Sequence, residues 1–390
     1  MGSMPENMRI GIIGAGQLAR MTYQAGIALG LTVRLLADTP EDAAALIGAD
    51  VETGSPKSQD ALLSFAESCD VITFEHELIN PDDLDELEKS GHLLRPSASV
   101  ARTVFDKRLQ REIMVREGLP VPAYTEDAKS ADDIIGYASD HGWPVVVKRA
   151  TGGYDGRGVW VLKDETEARE LEDELHEVPF LIEDWVAIER ELAVQVVRSP
   201  SGECVTYPVV ETVQRDGVCH EVLAPAHINN ATDSQARNIA RQLANALGLV
   251  GVMAVELFMT KDGLLINELA VRPHNSGHHT IEGCVTSQFE NHLRAVLDLP
   301  LGEVGLTGPA VAMANVFGAP DGFDLMAGLR VALGIPGTHV HIYAKETRPG
   351  RKLGHVTVVA SDLELARSRA VKAAAALMGK ELSNGHKESK

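Results

Sequence analysis

The sequence predicts a multidomain protein of mixed α/β and α+β class, and three observations carry that prediction. Its 390 residues exceed what one ordinary hydrophobic core organises, so two or three domains are expected. The first hundred residues alternate strand-like and helix-like stretches, the pattern of a parallel doubly wound sheet. The middle of the chain then changes to the period-two alternation of antiparallel strands.

The elements follow in order. Met1-Gly-Ser-Met4 reads as a cloning remnant ahead of a natural start at Met4, with no signal peptide or membrane span. RIGIIG is a first strand, followed by a helix through Ala28, strand TVRLLA, a second helix and strand VITFE. RPSASV marks a boundary. In FDKRLQREIMVREGLPVP, Phe105, Leu109 and Ile113 share one helical face, and Gly118-Leu-Pro120 stops the helix. A capped helix runs from Ser130 to Gly142, and Pro144 starts strand VVVKRA. The loop TGGYDGRG leads to strand VWVL, an acidic helix and strand FLIEDWV. RELAVQVV and CVTYPVVETV alternate up to a turn at Arg215-Asp216-Gly217. A helix from about Asp233 ends near Gly248, before a hairpin about Lys261-Asp262-Gly263. From about residue 301 come short strands around VALGIPG, HVHIYA and HVTVVA, a final helix, and a polar tail expected to be disordered.

A net charge of −20 excludes general nucleic-acid or anionic-membrane binding, because phosphates are repelled at long range. Any anionic ligand therefore needs a local basic cluster. Cys69, Cys204, Cys219 and Cys284 lack C-x-x-C spacing and read as free thiols of a cytoplasmic protein without a zinc site.

Six stretches carry chemistry. Gly14-Ala-Gly16-Gln-Leu-Ala19 after the first strand, with Asp38 ending the second, has the spacing of a dinucleotide fingerprint and raises an NAD-binding oxidoreductase as one reading. Glu256 and Glu268 flank the turn at Asp262-Gly263, so alternation sets both on one face, roughly opposed. Two like charges on otherwise apolar strands call for a cation, and Mg²⁺ with nucleotide phosphates answers that need; a one-residue register slip would instead send one glutamate to solvent. Thr151 to Gly158 holds four glycines in eight positions, three residues past Lys148, and reads as a phosphate-wrapping lid rather than a P-loop. LIEDWVAIERE, residues 181–191, offers backbone to an adenine edge and Glu191 to ribose hydroxyls. VRPHNSGHHTIEGC crowds Arg272, His274, Asn275, Ser276, His278 and His279, which fits polar substrate binding better than zinc. Lys345, Arg348, Arg351 and Lys352 form the local basic cluster.

Taken together, GIIGAGQLARM, TFEHE, KRATGGYDGRGVW, HNSGHHTIEGCVTSQFENHLRA and KETRPGRKLGH resemble the ATP-grasp superfamily. Within it they resemble the family that carboxylates 5-aminoimidazole ribonucleotide in purine biosynthesis. The resemblance implies a Rossmann-like (pre-ATP-grasp) N-terminal domain over 1–100 and an ATP-grasp domain over 101–300, with a mobile lid at about 121–187. It also implies a small β-rich C-terminal domain over 301–380, with 381–390 a tail. The implied reaction joins ATP, bicarbonate and 5-aminoimidazole ribonucleotide to give a carbamate, ADP and phosphate, in a cytoplasmic homodimer.

By the same resemblance Arg108, Lys148, Gly153, Tyr154, Asp155, Gly156, Arg157, Gly158, Val159, Glu183, Asp184, Trp185, Val186, Glu191, Gln214, Asn267 and Glu268 would bind ATP. Glu256 and Glu268 would hold Mg²⁺. Gln17, Glu75, Tyr154, Asp155, Arg157, His274, Asn275, Ser276, Lys345, Arg351 and Lys352 would surround the ribonucleotide. Lys148, Arg272, Asp155 and Arg157 would serve catalysis. The chain departs from the family at Gln214, where many members place histidine, and at Ala270, where many ATP-grasp enzymes carry an asparagine metal ligand. An ATP-grasp formyl or carboxyl transferase on another ribonucleotide is the near alternative. A dehydrogenase would not need the lid, the opposed glutamates and the basic cluster together, so the Gly14–Gly16 loop is expected to bring Gln17 to substrate.

Overall fold

A computed structural model describes residues 8–153, 157–175, 179–319 and 323–380, with Asp127 described by its backbone alone. The start region, lid residues Tyr154, Asp155 and Gly156, and the tail lie outside the described residues.

Strands Arg9–Ile13, Thr32–Ala37, Asp50–Thr53 and Val71–Phe74 form a parallel sheet in the order third, second, first, fourth. Ile10, Ile12, Ile13, Leu35, Leu36, Ile72 and Phe74 are all at most 1% exposed, because both faces of this sheet are covered. One face packs under helix Gln17–Ala28 and also meets Leu293 and Val296 from helix Gln288–Val296, far along the chain. The third strand, Asp50-Val-Glu-Thr53, is an addition to the expected βαβαβ; short, polar and at the sheet edge, it carries no apolar run to announce it.

A second, antiparallel sheet orders Tyr124–Ala128, Phe180–Asp184, Val145–Arg149 and Val159–Leu162. The glycine-rich loop joins its last two members. The third sheet is the largest. It runs Gly263–Ala270, Gly251–Thr260, Arg190–Arg198, Val210–Arg215, Val218–Ala224, Ala310–Phe317, Lys352–Ala360, Thr338–Ile342, with Cys204–Thr206 added on Arg190–Arg198. Pairing of Ala224 with Val311 carries it across the boundary read at residue 301, so the C-terminal strands extend the central sheet.

Two expectations are corrected. VALGIPG is not a strand: its Val-Ala-Leu ends helix Leu325–Leu333, which Asp324 caps by accepting from the Met326 N–H at 3.0 Å. Phe105, Leu109 and Ile113 do not share a helix face either. Asp106 breaks the run, ending helix Ala98–Phe105 and capping Lys107–Arg116 through the Arg108 N–H at 2.9 Å. The second helix buries Ile113 together with Lys107, Gln110, Arg111 and Met114, the last four an i, i+3, i+4, i+7 stripe that is mostly polar. Lys107 and Gln110 of that stripe line a cleft.

Candidate active site

The cleft encloses about 630 Å³ and is lined by the second sheet, the large sheet and the segments that follow the first and fourth strands of the parallel sheet. Its floor is the hairpin of Gly251–Thr260 and Gly263–Ala270. Near the turn Leu257 pairs with Ile266, a register that would set Glu256 against Asn267. The register shifts there, leaving Asn267 as an extra residue and setting Glu256 directly opposite Glu268. The bulged Asn267 turns its groups to use. Its carbonyl accepts from Arg111 at 2.7 Å, its side-chain oxygen from Lys148 at 3.0 Å, and its amide donates to Glu256 at 3.3 Å.

Three cations, Lys107, Arg111 and Lys148, are 8%, 2% and 7% exposed here, in a strongly acidic protein. Glu183 is bracketed by Arg111 at 2.5 Å and Lys148 at 2.6 Å, and Lys107 reaches Glu268 at 2.5 Å. Burial alone would raise the Glu183 carboxyl, but its two cations outweigh that and hold it below the usual range. Burial lowers the Lys148 ammonium; it shares one carboxylate with Arg111 and stands near Lys107. Glu268 is likewise held low against its burial, chiefly by Lys107. Glu256 behaves oppositely: burial, then Glu268 and Glu191, push it up to about 7.

Above the floor, Val146, Val159, Val161, Trp185, Ile188 and Phe258 make an apolar slot. Val161, Trp185 and Ile188 are 47%, 50% and 43% exposed, open to the cleft they line. Glu191, raised to about 7 by burial, sits beside it as the cross-strand neighbour of Phe258.

The opposite wall resolves the Gly14–Gly16 loop. Glu75 turns its carboxylate onto the N-terminus of helix Gln17–Ala28, accepting from the Gly16 N–H and from the Ala19 N–H at 2.8 Å. A Cβ on Gly14 would meet Glu75 Cγ at 2.6 Å, and one on Gly16 would meet Glu75 Oε1 at 2.7 Å. The glycines make room for the chain's own carboxylate, which takes the place a pyrophosphate would need. Next to it Lys345 donates to Gln17, and Lys352 also lines the cleft.

Sequence-picked residues thus separate. Gln17, Glu75, Lys148, Gly153, Arg157, Val159, Glu183, Asp184, Trp185, Val186, Glu191, Gln214, Glu256, Asn267, Glu268, Arg272, His274, Asn275, Lys345 and Lys352 line the cleft. Arg272 pairs with Glu77 at 3.2 Å. Arg108, Gly158, Ser276 and Arg351 are not among the lining residues. Arg108 turns to Asp106 at 2.6 Å, and Arg351 donates to the Glu346 carbonyl at 3.2 Å. Gly158 holds the loop's exit, its carbonyl accepting from Arg149 N–H at 2.8 Å. Ser276 lies behind the wall, where it accepts from Gln195 at 2.7 Å and contacts His274 Nδ1 at 2.8 Å. Sequence reasoning missed Lys107, Arg111 and Glu77; the i, i+3, i+4 spacing of Lys107, Gln110 and Arg111 was the available signal.

Comparison with known proteins fits this geometry. Residues 7–104 match the ribonucleotide synthetase preATP-grasp domain, 112–289 the ATP-grasp domain, and 311–369 the phosphoribosylaminoimidazole carboxylase C-terminal domain. N5-carboxyaminoimidazole ribonucleotide synthase of Mycobacterium tuberculosis is 44% identical over 372 residues, covering 94% of this chain and 86% of that one. The chain belongs to the N5-carboxyaminoimidazole ribonucleotide synthase family. The synthase of Aspergillus clavatus, solved with ADP and 5-aminoimidazole ribonucleotide, superposes with a TM-score of 0.88 at 34% identity, covering 95% and 98% of the two chains. The same fungal synthase solved with ATP gives 0.89 at 34% identity, covering 96% and 99%. Among the described residues no helix is long and apolar enough to cross a membrane.

Proposed function

We infer that the chain is an ATP-grasp ligase that carboxylates 5-aminoimidazole ribonucleotide with bicarbonate at the expense of ATP, in purine biosynthesis. The carrying observation is one cleft in which two buried lysines, two opposed carboxylates, an apolar slot and the Lys345–Gln17 pair converge. The slot suits the purine and Glu191 the ribose hydroxyls, while Lys107, Lys148 and Arg157 suit the phosphates. Glu75, His274, Asn275, Lys345 and Lys352 suit the ribonucleotide.

The Glu256–Glu268 pair fits a divalent cation, since Glu256 is held protonated up to about pH 7 by burial and neighbouring carboxylates, a cost that a cation would remove. Magnesium bound there supplies charge neutralisation for the transferring phosphate. Glu256 and Glu268 would supply two carboxylate ligands, and the remaining positions would be left to phosphate and water.

In the reaction a bicarbonate oxygen attacks the γ-phosphorus and ADP leaves. Lys148 and Arg272 stabilise the charge that develops. The exocyclic amine then attacks the carboxyl carbon of carboxyphosphate and expels phosphate, or carboxyphosphate first breaks down to CO₂ and phosphate and the amine adds to the CO₂; in either case the amine loses a proton. The lid keeps water from the unstable intermediate. We further propose a homodimer in the cytoplasm. ADP release should require both bicarbonate and 5-aminoimidazole ribonucleotide; release that proceeds equally with formate, or with another ribonucleotide, would support the transferase alternative.

A further inference from the structure

The apolar slot is walled by a short crossing. Strand Phe180–Asp184 ends in the lid sheet, residues 185–188 cross to the large sheet, and strand Arg190–Arg198 begins. Backbone bonds tether both ends, from Asp184 N–H to the Ala123 carbonyl and from Glu189 N–H to the Met259 carbonyl, each 2.9 Å. Between them Trp185, Val186 and Ile188 line the cleft. The Asp184 side chain is held from outside, by two residues no functional reading has used. Tyr137 Oη donates to Asp184 Oδ1 at 2.8 Å, and His141 Nδ1 stands 2.9 Å from the same oxygen. Tyr137 and His141 lie one turn apart on helix Ala131–His141, with rings stacked at 4.1 Å and 7°. A stacked pair meeting one carboxylate oxygen loses little freedom on doing so, and it ties the outer lid helix to the start of the crossing.

We propose that Tyr137 and His141 form a latch on Asp184 that fixes the 185–188 crossing, and thereby set the fit and selectivity for the nucleotide base without touching it. They are positioning residues, and the proposal rests on the reading that the purine of ATP occupies the slot. Steady-state kinetics of Tyr137→Phe/His141→Asn with ATP and GTP tests it, beside Glu191→Gln as a variant inside the slot. The double variant should raise KM for ATP roughly tenfold and narrow the preference for ATP over GTP, with kcat and KM for the ribonucleotide within about twofold of wild type. A merely structural role would lower melting temperature and kcat while base preference stayed put, and that result overturns the latch. If Glu191→Gln raises KM for ATP and the double variant does not, the latch falls and the slot reading stands. If neither moves it, the slot reading falls and takes the latch with it. Tyr137→Phe alone keeps the ring stack, so it serves should the double variant not fold. A rise of about threefold in KM for ATP supports the latch, and an unchanged value overturns it.

Discussion

Glu256 faces Glu268 across two strands; Glu268 pairs with Lys107 at 2.5 Å, while Glu256 has His274 Nε2 at 3.8 Å. The Glu256 carboxyl is raised, so the folded apo protein binds that proton more tightly than the unfolded chain does. The sign follows: relative to Glu256→Gln, wild-type apo protein should lose stability as pH rises from the ordinary carboxylate range to about 7. If the pair holds magnesium as proposed, the ion competes with the same proton, so its affinity should climb over that window and level off above it, and Glu256→Gln should abolish the slope. Titration calorimetry at several pH values checks this. At the other wall, Lys345 is the basic-loop residue that meets both Gln17 and the cleft. Lys345→Ala should cost about 1.5–3 kcal/mol of ribonucleotide binding, raising its KM roughly tenfold to a hundredfold while KM for ATP stays near wild type. Part of this was readable from residues: a −20 chain singled out its cation cluster. Even numbering was not what opposed the two glutamates, because the register at the turn sets Glu256 against Asn267 and only the Asn267 bulge brings Glu268 opposite. The split within that cluster was not readable, because local carbonyls and Glu346, not composition, decide that Arg348 and Arg351 turn away.

Elements were legible where apolar period and element agree, as in the first sheet, and illegible where function has replaced apolar residues by charge. Helix Lys107–Arg116 is the instance: Lys107, Gln110 and Arg111 would ordinarily mark a solvent face, yet they are buried against the hairpin and lid. Gln110 even ties the helix to the hairpin, accepting from the Leu269 N–H at 2.9 Å and donating to the Leu269 carbonyl at 3.3 Å. The dinucleotide-like loop shows the converse, a local pattern whose partner lies 59 residues away in Glu75. Gly16→Ala should force that carboxylate off the helix N-terminus, since the new Cβ would stand 2.7 Å from Glu75 Oε1. Expected are a stability loss of about 1–3 kcal/mol by urea unfolding and a raised KM for the ribonucleotide. Saturable NADH binding by wild type would contradict this account of the loop.

At the scale of the molecule, the order of domains was visible but the continuity of the large sheet was not, because pairing of Val218–Ala224 with Ala310–Phe317 spans a long stretch of unrelated sequence. Buried histidines bind the parts together. His292 contacts Thr73 at 2.9 Å and accepts from the Val252 N–H at 3.2 Å, joining the first sheet to the large one. Burial lowers His292 and His279 to about 4 each. Their neutral forms are native, so this stability is complete above about pH 6.5 and is lost as pH falls through 4, by up to about 3 kcal/mol per histidine. Urea unfolding should show wild type losing stability more steeply than His292→Asn between pH 7 and 5. The proposed reaction turns on one event, attack of bicarbonate on the γ-phosphorus of ATP within this cleft. Turnover with ¹⁸O-labelled bicarbonate and 5-aminoimidazole ribonucleotide, read by mass spectrometry of the phosphate released, tests it most directly. One labelled oxygen should pass from bicarbonate to phosphate for each carbamate formed, and phosphate that carries no oxygen from bicarbonate would contradict the account.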